Sequence, residues 1–464
     1  MLLNPSFFKL HKAPIFMALL SLILYWLFAY HLIRTDYIML VSLYVGLFIL
    51  FYQIFKHLRN NFKALTYLAF GFRAIFILAI PNLSQDFYRF IWDGRMIFEG
   101  FNPYLYTVES FISQGKYPVD EALALRQGMG ALNASHFTNY PPINQLCFFI
   151  AALISGQSIL GSAIIMRLLI IAADFGTLHF GKKLLEKLNI SIYNIFWYIL
   201  NPFIIIELTG NLHFEGVMIF FLVWSLYLLH ISKWAWTGVI LALSISVKLI
   251  PLIFLPLFYQ CFIKANNNRN GVSTTHNFAR LIGFYTIVIT TTILLFSPFY
   301  SSNFISNYSK TVALWFQNFE FNASLYYIAR GIGYMFRGYN EIAIIGKITP
   351  IIVILFVLCL TFFRRNTTTE QLITAMLLVL SFYYFTTTTV HPWYIATLLI
   401  LSVFTKYKFP LVWSFVIILS YLAYINLNKA DKTENLWVIA IEYMIVYGVF
   451  IWELFIKKAP KLEA

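Results

Sequence analysis

The sequence predicts an all-α polytopic membrane protein, and three observations carry that expectation. Apolar residues make up 60% of the 464-residue chain and mean hydropathy is +0.75, whereas an ordinary soluble domain is about half apolar. Apolar runs of about 20 residues, enough to cross a bilayer as a helix, recur from end to end. The runs are continuous rather than alternating, which selects helices over a β-barrel.

In chain order the runs predict spans at 13–34, 38–55, 63–81, 161–181, 192–208, 213–231, 235–247, 250–263, 279–298, 341–363, 370–388, 393–405, 409–426 and 436–456. The expected architecture is therefore one membrane domain, residues 1–464, with 12–14 spanning helices. The first run, "APIFMALLSLILYWLFAYHLI", lacks a small-residue cleavage site and reads as a retained helix rather than a signal peptide. "PPINQLCFFIAALIS" (141–155) is apolar but short, and counting it as a span would put "KKLLEKLN" on the wrong side. It reads as a juxtamembrane or re-entrant helix of a large first external loop, 82–160, with 299–340 as a second. The stretch 235–263 reads either as two half-length helices meeting at Lys248 or as one long tilted helix that buries it. No internal repeat is visible, and "NNNRNGVSTTHN" (266–277) is a polar loop without assignable chemistry.

Charge orients the bundle. The net charge of +14 does not signal nucleic-acid binding, because short cytoplasmic segments hold most of the Lys and Arg, among them Lys9, Lys12, Lys56, Arg59, Lys182, Lys183, Arg364 and Arg365. Both termini are then cytoplasmic. Of the acids only Glu186, Glu370 and Glu463 fall inside, and the opposite, external face collects most of the rest. Acid count hardly sets orientation, so this asymmetry marks the external face as the working face. Cys147, Cys261 and Cys359 all lie in apolar segments without CxxC spacing, which argues against disulfides and a zinc site.

The densest charge sits in "SQDFYRFIWDGRMIFEGFNPYLY" (84–106), where the charged fraction far exceeds the overall 11%. Asp86, Arg89 and Asp93 fall on one helical face, and Phe87, Phe90, Ile91 and Met96 on another suited to the lipid interface. Alone, this is also what an interfacial helix with wet charges shows. Four further clusters map to the same side of the membrane. They are "TNYPPINQ" with Tyr140, "NPFIIIELTGNLHFEG" with Glu207, His213 and Glu215, "SISVKLIPLIFLP" with Lys248, and "TTTTVHPWYIATLL" with His391, Trp393 and Tyr394. Ionisable groups at membrane depth are costly and usually line a cavity or pathway.

Together "WDGR…EG..PY", "YPP", "NP…E..GN.H.E", the lysine before a proline and "HPWY" resemble the polyprenol-phosphate-sugar-dependent glycosyltransferases of the GT-C superfamily. Within it they are most similar to integral-membrane mannosyltransferases, including the bacterial lipoglycan enzymes and the GPI-anchor mannosyltransferase. The resemblance implies a GT-C-like bundle with a large first external loop containing juxtamembrane helices. It also implies a catalytic carboxylate in that loop, and Asp86 matches that position. Many relatives carry an acidic pair spaced by one residue; here the pair is Ser84 and Asp86, which makes Asp93 the fallback acid.

The expected reaction moves a hexose, mannose by the resemblance, from a polyprenyl phosphate to an external glycan or lipid-linked acceptor with inversion. The residue types suit it. A positioned carboxylate takes the acceptor hydroxyl's proton. Lys248 and His391, then Arg89 or Arg95, meet the leaving phosphate's charge. Glu207, His213 and Glu215 hold sugar hydroxyls or the acceptor, while Trp92, Tyr140, Trp393 and Tyr394 offer rings and polar tips to a sugar. No cofactor and no dedicated metal cage is expected, a divalent ion between Asp86 and another acid being the alternative. The partners are then the lipid-linked donor, a glycan or glycolipid acceptor and membrane lipids, with no nucleic acid. The competing readings are a flippase or transporter of a polyprenyl-linked sugar, which needs ionisable groups through the spans, and a polysaccharide polymerase or ligase. Only Arg73, Asp174 and Glu442 are mid-span candidates for the flippase.

The topology is tested by labelling. Cysteines placed at Gln114 and Lys432 should react with membrane-impermeant reagents in intact cells, and one at Asn268 only after the membrane is opened. Reaction of the Asn268 cysteine in intact cells would reverse the orientation.

Overall fold

A computed structural model describes residues 12–264, 274–317, 319–426 and 434–457; Lys9, Arg269, Lys432, Glu463 and most of the polar stretch 266–277 lie outside them. Helical segments stand at all fourteen expected positions, but many are shorter than a membrane is thick. Among the described residues six helices are long and apolar enough to span: Lys12–Tyr30, Tyr37–Leu58, Ile159–Lys187, Asn277–Phe299, Ile342–Phe362 and Leu436–Ile456. A seventh is the pair Ile192–Ile199 and Pro202–Gly210, bent by 49°. Of the shorter apolar segments, Ile250–Ile263, Pro392–Val403 and Phe409–Ile425 start or break at prolines, at Pro251 and Pro256, Pro392 and Pro410, each of which lacks an N–H for the helical ladder, whereas Glu215–His230 and Trp234–Ile245 hold none. No strand is named among the described residues; Phe321 and Thr389 form an isolated bridge.

The segments expected on each side of the membrane gather at opposite ends of the bundle. At one end the two large loops are stitched together: Asn102 Nδ2 donates to Phe299 O at 2.8 Å, Asn307 Nδ2 to Tyr104 O at 3.1 Å, and Tyr308 Oη to Asn139 O at 3.0 Å. Arg34 joins them by donating to Leu83 O at 3.2 Å. At the other end His230 meets Thr369 at 3.1 Å, Gln260 donates to Thr361 O at 2.6 Å and Arg364 O at 2.8 Å, and Lys408 N donates to Glu453 at 2.7 Å.

The loop helix Asp86–Phe98 corrects one expectation. Its apolar face does not lie in lipid: Phe87, Phe90, Ile91 and Met96 are all buried in protein, and so are Arg89, Trp92, Asp93 and Arg95. The first loop folds around this helix, with Pro142–Ser155 on one side and Ala122–Ser135 on another. Phe90 stacks on Phe148 at 4.6 Å, and Phe214, from between His213 and Glu215, meets Phe148 edge-on at 5.2 Å. The charges are dense here because a polar loop core, rather than a wet surface, requires them.

In the spans, buried arginines hold the bent pair. Arg73 is fully buried, pairs with Asp174 at 2.8 Å and donates to Ile199 O at 2.6 Å, just before the bend. Arg167 donates to Thr209 O at 2.8 Å and Gly210 O at 3.0 Å, the last carbonyls of the π-helical turn Ile205–Gly210. Carbonyls released by an irregular helix must find donors inside the membrane, and these guanidiniums supply them. Arg73→Met should therefore cost about 3–5 kcal/mol by leaving Asp174 charged and alone. Adding Asp174→Leu should recover much of that loss, read as the thermal midpoint in detergent.

Candidate functional site

The site is built where three helix interruptions meet the first loop. Helix Trp234–Ile245 stops before the 3-10 segment Ile250–Phe258, and Lys248 stands in the gap. This is the two-piece form of 235–263. Ile143 N, just past the diproline, donates to Ser246 O at 2.8 Å, so the loop closes directly on that gap. The second interruption is "GNLHFEG", where Leu212 takes a left-handed φ of 62°, a conformation costly for a residue with a side chain. It turns the chain so that Glu207, His213 and Glu215 are all buried together. The third is the Thr387–His391 stretch before the 3-10 turn Pro392–Tyr394.

Lys248 forms an ion pair with Glu215 and lies 5.5 Å from the centre of the Tyr394 ring. Glu207 accepts from Tyr421 Oη at 2.8 Å and lies 3.9 Å from His213 Nε2. The His213 ring stacks on Trp393 at 3.7 Å; His391 stacks on the same indole at 4.6 Å and on Phe321 at 5.2 Å. The indole thus has an imidazole beside it at each of two contacts, and Trp393 is itself buried. Both imidazoles are held against it.

Asp86 is half-buried at the first position of its helix and accepts from Asn133 Nδ2 at 3.3 Å. Burial raises its pKa, Lys248 and then the Asn133 hydrogen bond oppose the rise, Glu215 adds to it, and Arg34 opposes it more weakly. The same charges show that Asp86 shares one electrostatic neighbourhood with Lys248, Glu215 and Arg34. Burial, with Lys248 second, pushes His391 down to about 3. At neutral pH its imidazole is neutral, which leaves Lys248 as the principal cation facing Asp86. Asp86, Tyr140, Lys248, His391 and Tyr394 keep partial exposure, whereas Glu207, His213, Glu215 and Trp393 do not.

The other predicted residues lie within the loop's own framework. Asp93 accepts from Arg89 Nε at 2.8 Å and Gln145 Nε2 at 3.1 Å, and Arg89 Nη1 donates to Asn133 O at 2.7 Å. This pair sets the segment that carries Asn133 to Asp86. Arg95 donates to Asp120 O at 2.6 Å and Gln157 O at 2.7 Å, tying the loop's middle to its end. Tyr140 lends its carbonyl to Tyr104 Oη at 2.6 Å and its ring to Phe90 at 4.9 Å. Sequence reasoning missed Arg34, Asn133, Tyr421 and Phe321. Arg34 had one signal, its place as the last residue of the first predicted span; the others had none. Among the described residues no three His, Cys, Asp or Glu side chains are close enough to hold a metal ion.

A many-helix bundle with long apolar helices, and with buried acids, a lysine and aromatic rings gathered at its helix interruptions, defines a polytopic membrane protein. The chain belongs to the MptA_B family, described as alpha-(1->6)-mannopyranosyltransferase, N-terminal domain, which residues 14–264 match. It is thus a membrane glycosyltransferase of the mannosyltransferase type. No curated protein matches the chain. The matched segment contains Asp86, Glu207, His213, Glu215 and Lys248, while Phe321, His391, Trp393, Tyr394 and Tyr421 lie beyond it.

The crossing of the two loop helices sets the height of Asp86. A Cβ on Gly94 would lie 2.2 Å from Phe148 O, a backbone atom that cannot move aside. Gly94→Ala should therefore part the helices, lowering the thermal midpoint and transfer activity together, whereas Gly71→Ala, which meets nothing within 4 Å, should leave both unchanged.

Proposed function

We propose that the protein transfers a mannosyl group from a polyprenyl-phosphate donor to a hydroxyl of a glycan or glycolipid acceptor on the external face, with Asp86 as general base. The family's description supports an α-(1→6) product. The observation that carries the mechanism is a half-buried carboxylate, Asp86, in the electrostatic neighbourhood of the Lys248–Glu215 ion pair, which stands at the gap between two half-helices. The acceptor oxygen attacks the anomeric carbon as its proton passes to the Asp86 carboxylate. The bond from that carbon to the phosphate oxygen breaks, and the oxygen leaves with the electron pair, its charge met by Lys248. A single displacement inverts the anomeric centre, so an α-mannoside requires a β-linked donor. His391, neutral, offers a hydrogen bond to the phosphate, and the buried acids Glu207 and Glu215 bind sugar hydroxyls or orient their neighbours. Arg89, Asp93 and Arg95 then act by positioning Asp86 and closing the loop.

Arg73 and Asp174 neutralise one another, and Glu442 accepts from Trp413 at 3.0 Å and Asn322 at 3.2 Å. The mid-span charges that a flippase would need are thus accounted for by packing, which favours transfer over translocation.

Asp86→Asn should retain expression and fold while losing about 10²–10⁴-fold in turnover, measured with labelled polyprenyl-phosphate mannose and reconstituted protein. Collapse in Asp93→Asn with normal turnover in Asp86→Asn would reassign the base. Because burial raises the Asp86 pKa, the acid limb of the rate profile should lie above the ordinary carboxylate value of 3.8. Activity should appear as pH rises through that limb and the base loses its proton. Lys248 opposes the rise, so Lys248→Met should move the limb to higher pH besides lowering turnover. Lys248→Arg should keep part of the activity, since the charge survives and its geometry does not.

A further inference from the structure

The second loop contains a helix whose outward face meets no other part of the protein among the described residues. Leu325–Arg337 exposes Ile328 (62%), Ile332 (51%), Met335 (83%) and Phe336 (83%). At 3.6 residues per turn these four side chains, with Leu325, fall within an arc of about 100°, the width of one apolar stripe. The opposite side is fastened to protein. Tyr326 is buried and donates to Glu320 at 2.6 Å, Arg330 pairs with Glu320, and Tyr327 Oη donates to Glu434. Gly338, at φ 78°, ends the helix with its N–H on Tyr334 O at 3.0 Å. The chain then turns into the span Ile342–Phe362, which exposes Ile344, Ile348, Ile351 and Leu355. The stripe is therefore continuous, across a short turn, with a surface that faces lipid.

We propose that Leu325–Arg337 lies along the membrane surface, with Ile328, Ile332, Met335 and Phe336 sunk into the headgroup–acyl boundary of the bilayer the protein spans. An interfacial helix has this arrangement: a narrow apolar stripe on one side, with polar and basic groups on the other. Its continuity with the exposed apolar surface of the span Ile342–Phe362 favours lipid over a second copy of the chain. The segment just before this helix is joined to the site. Phe321 N donates to Thr388 O at 3.1 Å, Val390 N to Phe321 O at 2.8 Å, and the Phe321 ring stacks on His391. The bilayer surface thereby sets the height of one wall of the site.

The test uses nitroxide labels on protein reconstituted in phosphatidylcholine vesicles. Cys147 is buried and stays; Cys261 and Cys359 are replaced by alanine. Labels at Ile332→Cys and Phe336→Cys should collide more often with oxygen than with a water-soluble nickel complex, and a label at Tyr334→Cys, on the far side of the stripe, should show the reverse preference. Equal access of the nickel complex to all three would overturn the proposal. So would dipolar broadening between labels at 336 on two copies, which would make the stripe a protein interface. In a chain with all cysteines retained, a photo-crosslinking residue in place of Phe336 should yield lipid adducts on mass spectrometry. Adducts to a second copy alone would again refute the assignment.

Discussion

The structure depends on two buried arginines that allow a spanning helix to be broken. Arg73, neutralised by Asp174, satisfies Ile199 O on one side of the bend, and Arg167 satisfies Thr209 O and Gly210 O on the other. A straight helix through 192–210 would need neither arginine, and it would carry Glu207 along a wall of apolar side chains. Because the helix bends 49° and ends in a π turn, the chain can reverse at Leu212 and deliver Glu207, His213 and Glu215 to one place. Polar side chains at membrane depth are tolerated here because each irregular stretch of backbone is matched by a donor from a neighbouring helix.

The same logic relates the first loop to the spans. Its core is made from charges, Arg89 with Asp93 and Arg95 with the carbonyls of Asp120 and Gln157, enclosed by the aromatic cluster of Phe90, Tyr140, Phe148 and Phe214. Phe214 belongs to the broken-helix hairpin, and Ile143 bonds to the gap before Lys248. The loop is therefore seated on the two places where the bundle is least regular. Asp86 occupies the edge of that seat, within reach of solvent, while the groups that position it are sealed beneath.

Helix positions were legible in the sequence because continuous apolar runs and proline breaks are local signals, and every expected run holds a helical segment. Their lengths were less so: the apolar run at 63–81 becomes the 14-residue helix Phe62–Ile75 followed by an irregular turn, a choice made by Arg73 finding Asp174, which no local pattern announces. The clusters around Asp86, Glu207, Lys248 and His391 could be read as belonging to one side because charge distribution orients the loops. That Arg89 and Asp93 point inward could not, since the spacing that puts charges on one helical face does not say whether water or protein covers it. Asn133 and Phe321 carried no signal at all. Each acts through a contact formed across more than forty residues of chain.

The stacking of His213 on Trp393 has a consequence for the order in which the protein becomes competent. Membrane helices enter the bilayer as they are synthesised, so the segment through Lys248 is in place well before residue 393 leaves the ribosome. Until then His213 lacks the indole that fixes its ring, and His391 does not yet exist. Asn322, with its left-handed φ of 46°, is held by Glu434 and Glu442 at the start of the last span, so the Phe321 wall is secured later still. The nascent chain therefore carries Glu215 and Lys248 early, but the wall at Phe321 is fastened only once the segment bearing Glu434 and Glu442 has followed.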